Sequence, residues 1–397
     1  MLKAFITNFG ATLISTGLST IAVFLLVRNL SPADWGVSAS TLGIGQLLGA
    51  ILSFGTQIER VRRYSSMTDE TRRLQAKTDA SARNAIATLS GLIGLIVLVF
   101  APDVGAVVIA AAGTYASLAA TNYFVAAKQF VKAGLVLAAE KSLLLALVST
   151  ALVIAAPGSL VMPVAQGVAG LTTALVSSKL IRVHAPKLSL KEHVRRLQGQ
   201  YRSGIYLGLA SLAPSFLLLD ATIVILISGR EEAASFALAA RLVSPLTIAT
   251  TALVAVLMPF LISPAREARG SNAQALVVLT LGYFASLAVL AVSASWWVPM
   301  VFGEAYASSI LAVQLYIGNA FMVFFTRVLA TVSQARGEDK IISVLIGSQV
   351  IAALVGIAIG AGLAGSSGAA ISLVSTNAVL ALVLGGREWA RRKARSV

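Results

Sequence analysis

Cysteine is absent from the 397 residues, and histidine occurs only at His184 and His193. The first absence removes disulfides, thiolate nucleophiles and cysteine metal sites, and the second leaves little room for zinc or imidazole-base chemistry. Charge is scarce as well: 12% of the residues are Asp, Glu, Lys or Arg, against about a quarter in ordinary soluble domains. Acids are the scarcer sign, 16 against 31 Lys and Arg, for a formal net charge of +15. No Walker-type loop occurs, and the glycines of Gly43-Ile44-Gly45-Gln46-Leu47-Leu48-Gly49 lie inside an apolar run with no flanking strand. Helix packing is the better account of them, and the sequence implies no bound nucleotide, metal or other cofactor.

Apolar residues fill the space that charge leaves, at 57% of the chain with a mean hydropathy of +0.86. A nucleic-acid binder would explain the basicity but not apolar runs long enough to cross a ~30 Å hydrocarbon core. Such runs fall near 4–27, 36–58, 84–101, 106–127, 135–156 and 163–180, then near 203–227, 236–262, 274–296, 307–328, 341–363 and 368–386. Turn chemistry separates them, as in Ser31-Pro32-Ala33-Asp34, Ala101-Pro102-Asp103, Pro157-Gly158-Ser159 and Gly365-Ser366-Ser367-Gly368. Their abundance of Ala, Gly, Ser and Thr suits close helix packing in lipid, and a barrel would need short alternating segments instead. The expected fold is an all-α polytopic membrane protein with twelve transmembrane helices in two six-helix bundles around a central cavity.

The positive charges are distributed unevenly about these spans. Of the 31 Lys and Arg, 26 lie in Lys3, 59–83, 128–134, 179–202, 263–273, 329–340 and the C-terminal tail, which alternate onto one side. The opposite turns hold Arg28 and Arg230, and the spans hold Lys141, Arg241 and Arg327. The positive-inside rule then places both termini in the cytoplasm, with Met1-Leu2-Lys3 opening an uncleaved first helix. The headline basicity therefore mainly reports orientation, with attraction to anionic membrane lipids as a further consequence. The polar stretch 181–202 divides the chain into bundles 1–180 and 203–397. Its Leu190, Val194, Leu197 and Tyr201 stand at helical spacing, with Arg195, Arg196 and Arg202 elsewhere on the wheel, as in an amphipathic helix on the headgroups or a solvated linker helix.

Four short motifs occur in a consistent order. Val27-Arg28-Asn29-Leu30-Ser31-Pro32-Ala33-Asp34-Trp35-Gly36 resembles the R-x-L-G-P-x-x-Y/F-G turn of the polysaccharide and oligosaccharide exporters of the MOP (multidrug/oligosaccharidyl-lipid/polysaccharide) flippase superfamily. Ser31 and Trp35 replace the usual Gly and Tyr or Phe. Asp220, Gly229 and Phe236-Ala237-Leu238-Ala239-Ala240-Arg241-Leu242 resemble its D…G…Y-x-x-A-x-R/K-L span. Phe302-Gly303-Glu304-Ala305-Tyr306 is similar to its F-G-x-x-Y segment, and Gly368-Ala369-Ala370 to its G-A-A opening of helix 12. The resemblance implies a flippase, not an enzyme, moving an undecaprenyl-diphosphate-linked oligosaccharide across the bacterial inner membrane by alternating access. Polysaccharide polymerase and glycosyltransferases of the same pathway are the implied partners. Drug or cation antiporters share this fold and form the alternative, followed by a membrane-embedded polysaccharide enzyme.

A diphosphate headgroup favours Arg, whose fork pairs phosphate oxygens, and ionisable groups at membrane depth tend to face protein or water. Asp220 and Arg241 lie on adjacent spans, 11 residues before and 10 after Glu231 in the connecting turn, so a hairpin sets them at similar depth. Arg241 is expected to meet the headgroup and Asp220 to pair with it or exchange a proton; a static Asp–Arg pair is the structural alternative. Arg28 at the periplasmic rim is a headgroup or gate contact, or a snorkelling Arg. Arg60, within Glu59-Arg60-Val61-Arg62-Arg63, draws anionic substrate to the cytoplasmic mouth, or simply ends a basic loop. Glu140 is a candidate coupling carboxylate, with Lys141 expected to snorkel to the interface and Arg327 to anchor there. Asn8, Gln46, Asn122, Gln166, Gln314, Asn319 and Asn377 suit a hydrated cavity or interhelical bonds, and Trp35, Trp296, Trp297 and Trp389 an aromatic belt.

Overall fold

The computed structural model describes residues 2–53, 60, 63–64, 67–118, 120–154, 158–181, 212–262, 271–334 and 338–396. All regular structure among them is helical. They group into two units, Met1–Thr222 and Ile223–Val397. Apart from Ile181, the amphipathic linker expected over 181–202 lies outside the described residues, as do both histidines.

The first unit contains α1 (Leu2–Asn29), α2 (Pro32–Ser53), α3 (Asp69–Phe100), α4 (Pro102–Ser117), α5 (Asn122–Ala126), α6 (Phe130–Val153) and α7 (Val161–Lys179). A 3-10 segment, Ala213–Leu219, and the first turn of α8 (Asp220–Ser228) also belong to it. α1 packs on α6, and α4 packs on α2, α3 and α7. The α1–α2 turn forms as its residues suggest: the Asp34 amide donates to Ser31 Oγ at 3.1 Å, while that hydroxyl donates to Asp34 Oδ2 at 2.6 Å. This reciprocal cap satisfies an orphan N–H at the start of α2, and Pro32 at its first position needs no partner. The glycines of α2 serve packing, as their setting suggested. A Cβ on Gly45 would lie 2.5 Å from Ala110 Cβ, and one on Gly49 2.6 Å from Thr114 Cβ.

The second unit continues with α9 (Arg230–Ile262), α10 (Ser271–Val292), α11 (Ala294–Phe302), a 3-10 turn at Glu304–Ser309, α12 (Ile310–Gln334) and α13 (Asp339–Ser396). α12 packs against α9, α10 and α13. The 58-residue α13 is not straight, because Ala364 and Gly365 leave helical geometry and Gly365 sits at φ +57°. Side chains on Gly360 and Gly368 would each run into the other's carbonyl, and Gly356 faces Ser372. Gln349 bonds Asn377 further along. These pairs are centred on the break, so α13 folds back on itself as an antiparallel helical hairpin. Glu232 Oε2 accepts the Ser366 amide at 2.6 Å and caps the returning arm.

Burial is inverted relative to a water-soluble protein. Small residues such as Ala22, Ala110, Ala169, Ala234, Ala312 and Ala370 form the interior, while Phe100 is 83% and Val153 85% exposed. Small side chains let backbones approach, and large apolar ones suit lipid. Eight helices among the described residues are long and apolar enough to cross a membrane, nine if the bent pair α10–α11 counts as one span.

Several boundaries differ from the sequence expectation. The run 84–101 is the distal part of α3, which begins at Asp69 and carries its charges in its first half. The run 203–227 is described from Leu212, where Pro214 accompanies a 3-10 segment. The run 274–296 bends by 66° between α10 and α11, where Ser293 Oγ donates to the Val289 carbonyl at 2.6 Å. Such back-bonding competes with the helical ladder and bends it. Trp35 is 0% exposed and belongs to the core, whereas Trp296 and Trp389 are exposed as an aromatic belt requires.

Candidate functional site

The first unit concentrates its polar chemistry around the early turns of α3. Ala76, Ala80, Arg83, Ala87, Gly91 and Gly94 are three or four residues apart, so they share the face that α3 buries. Asp79 is buried beside that face and accepts three bonds: Arg63 Nη2 and the Tyr64 hydroxyl at 2.7 Å, and Gln75 Nε2 at 2.9 Å. Burial, and then the Asp79 carboxylate, push the Tyr64 hydroxyl well above its ordinary range. Arg60 is 2% exposed and hydrogen-bonded with Tyr115 of α4. Arg83 is 4% exposed and donates to Asn84 Oδ1 at 3.3 Å. Sequence reasoning passed over Asp79 and Arg83, though their spacing against Ala76 and Ala80 was available as a signal.

A second polar group lies between α6 and α7. Glu140 is buried, and its Oε1 accepts Lys141 Nζ at 2.7 Å and Gln166 Nε2 at 2.8 Å; Lys141 also reaches Gln166 Oε1 at 3.1 Å. Lys141 therefore turns inward instead of snorkelling. Adjacent helical positions diverge, but four methylenes let the ammonium curl back. Pairing two ions at membrane depth costs less than leaving Glu140 buried alone.

The remaining candidates lie on their own elements. Arg28 is exposed in the last turn of α1, where its charge complements the helix dipole. Asp220 opens α8 half-buried, its Oδ1 accepting the Ala221 amide at 2.6 Å. Arg241 is half-buried in α9. Asp220 falls in the first unit and Arg241 in the second. Arg327 is exposed on α12. Asn319, Asn377 and Gln349 form an interhelical ladder in the second unit, with Asn377 Nδ2 donating to Asn319 Oδ1 at 2.8 Å. Among the described residues no cluster of three or more His, Asp or Glu is arranged to hold a metal ion.

No family model matches the sequence, and no curated protein does. Solved structures do. An inward-facing multidrug resistance MATE family transporter of the MOP superfamily matches with a TM-score of 0.63 at 17% identity, covering 96% of this chain and 95% of that one. The lipid II flippase MurJ in an inward closed conformation matches with a TM-score of 0.70 at 11% identity, over 96% and 86% of the two chains. This chain has the MOP transporter fold. A third MOP superfamily transporter, from Pyrococcus furiosus Vc1 (DSM3638) and described by the reverse polarity of its binding pocket, matches with a TM-score of 0.55 at 16% identity over 98% and 95%. The MOP fold and the apolar helices together make this a multi-pass membrane protein. On that fold, the capped α1–α2 turn sets Arg28 at the end of the first span.

Proposed function

We propose that the protein is a flippase for a polyprenyl-diphosphate-linked oligosaccharide in the bacterial inner membrane. It has twelve spans, with 1–180 and 203–397 as its two six-helix halves, 181–202 as the link and both termini in the cytoplasm. Alternating access of the halves carries the headgroup from the cytoplasmic to the periplasmic leaflet. The observation that carries an anionic cargo is the charge balance at membrane depth. The Glu140 carboxylate is already held by Lys141 and Gln166, whereas a cationic cargo would want carboxylates in excess of such partners.

Arg241 is the proposed headgroup contact, with Asp220 balancing its charge or exchanging a proton, and Arg28 meets the headgroup at the periplasmic rim. Arg60, buried as it is, sets the potential of the cytoplasmic mouth rather than touching the diphosphate. Glu140 is the candidate for coupling to an ion gradient. Glycosyltransferases and a polysaccharide polymerase supply the cargo and consume it. The test is complementation of a strain lacking its own flippase, scoring surface polysaccharide and accumulated lipid-linked precursor. Rescue is expected, with Arg241→Ala lowering it at least tenfold. Robust drug efflux without rescue for any of several glycans would replace this reading with the exporter reading, which the MATE likeness also supports.

A further inference from the structure

α3 and α7 pack side by side in the first unit, and an open groove of about 520 Å³ follows their seam. Lys77 Nζ donates to the Ser178 carbonyl at 2.5 Å, Asn84 Nδ2 to the Ala174 carbonyl at 3.2 Å, and Gly91 lets the Leu171 side chain approach. These pairs run in opposite directions along the two helices, so α7 is antiparallel to α3. Arg73, Lys77 and Ser81 stand four residues apart, and Asn84, Thr88 and Leu92 continue the same stripe of α3. Ser81 and Thr88 line the groove with Leu89 and Leu92 of α3 and with Leu175 and Ser178 of α7. The last residue of α7, the exposed Lys179, stands at the same end as Lys77. Along one seam the chemistry therefore passes from ammonium to hydroxyl to alkyl.

That order matches an amphiphile with an anionic head. Leu89, Leu92 and Leu175 are exposed on helices long and apolar enough to cross a membrane, so hydrocarbon surrounds them. The stretch from Ser81 to Leu92 rises ~16 Å, about half of a ~30 Å hydrocarbon core and so the depth of one leaflet. A soluble phosphate would use the lysines and leave the leucines without a role, and a long polyprenyl chain would overrun the groove. We propose that this groove binds one anionic phospholipid of the bilayer, its phosphodiester beside Lys77 and Lys179 and one acyl chain along Leu89, Leu92 and Leu175. Ser81 lies at the depth of the glycerol esters. The site belongs to the first unit and is independent of what the transporter carries.

The test uses the full-length protein, delipidated in detergent, with phosphatidylglycerol and phosphatidylcholine of identical acyl chains as probes. Native mass spectrometry counts the lipids retained, and titration gives the affinity of the first one bound. Phosphatidylglycerol is expected to bind as a single tight equivalent, at least tenfold more tightly than phosphatidylcholine. Lys77→Gln/Lys179→Gln should remove that preference. Thr88→Trp, which fills the groove and keeps both lysines, should weaken binding of either lipid at least tenfold, and it still decides if the double variant does not fold. Lys128→Gln/Lys132→Gln removes two exposed cations away from the groove and should leave both affinities unchanged. Equal affinity for the two lipids in the parent would overturn the proposal, as would unchanged binding in Thr88→Trp. Displacement of phosphatidylglycerol by equimolar polyprenyl diphosphate would assign the groove to the cargo lipid and overturn it as well.

Discussion

At the scale of single residues, the two intramembrane charges of α6 show how packing chooses between readings that sequence leaves open. Lys141 has a stem long enough to reach an interface, yet its ammonium sits 2.7 Å from Glu140 Oε1. The pair is a unit, so its members should not contribute independently. Lys141→Met leaves a buried carboxylate with only Gln166 and should destabilise the protein by about 3–5 kcal/mol, read as a fall in unfolding temperature in detergent. Glu140→Gln/Lys141→Met removes both charges and should recover most of that loss. Equal unfolding temperatures for Lys141→Met and the parent would show that the pair carries no energetic coupling. In the transport assay Glu140→Gln separates two roles: flux that no longer follows the ion gradient in a folded protein assigns Glu140 to coupling, and unchanged flux assigns it to structure.

At the scale of elements, the α13 hairpin and the first half of α3 make opposite cases for what a sequence discloses. Gly365-Ser366-Ser367-Gly368 was readable as a turn, because glycines interrupt an apolar run that is too long for one crossing. The structure adds the reason for glycine at 365: its φ of +57° disfavours a side chain, and a Cβ there would meet the Glu232 carboxylate. Gly365→Ala should therefore cost about 1–3 kcal/mol. Gly347→Ala, on the same element with open space around it, should stabilise by up to about 1 kcal/mol through helix propensity. Thermal unfolding of the two variants should shift in opposite directions, and parallel shifts would remove the conformational explanation. The charged start of α3 was harder to see. A stretch dense in Arg, Lys and Asp reads as a solvated loop, and only its partners, Tyr64 and the neighbouring helices, show that Asp79 and Arg83 are buried. The small-residue spacing from Ala76 to Gly94 was the local signal, and the charge masked it. Asp220 and Arg241 were placed by counting residues from a turn, which sets depth along a helix and not the direction in which a side chain faces.

At the scale of the whole molecule, the charge asymmetry between the two sets of helix ends makes a testable topology. With no native cysteine, single cysteines can be labelled without background. A membrane-impermeant maleimide applied to intact cells should label Asp103→Cys, Ser159→Cys and Glu231→Cys. Thr71→Cys, Lys128→Cys and Lys393→Cys should be labelled only after the inner membrane is opened. These positions sample both sides of the spans in each half, and Thr71, Asp103, Lys128, Glu231 and Lys393 are exposed in the structure. Twelve spans with both termini inside require this alternation throughout, since an odd number of crossings would put Lys3 and Lys393 on opposite sides. Labelling of Lys393→Cys from outside, or protection of Glu231→Cys, would therefore reject the count or the orientation. Arg241→Cys extends the same experiment to function. In the alternating-access reading, a wet cavity reaches this position from one side at a time. Its labelling should be slower than that of Glu231→Cys by at least tenfold, and it should fall further when lipid-linked substrate accumulates. Labelling of Arg241→Cys that is indifferent to substrate would separate the residue from the cargo, while leaving the topology and the fold intact.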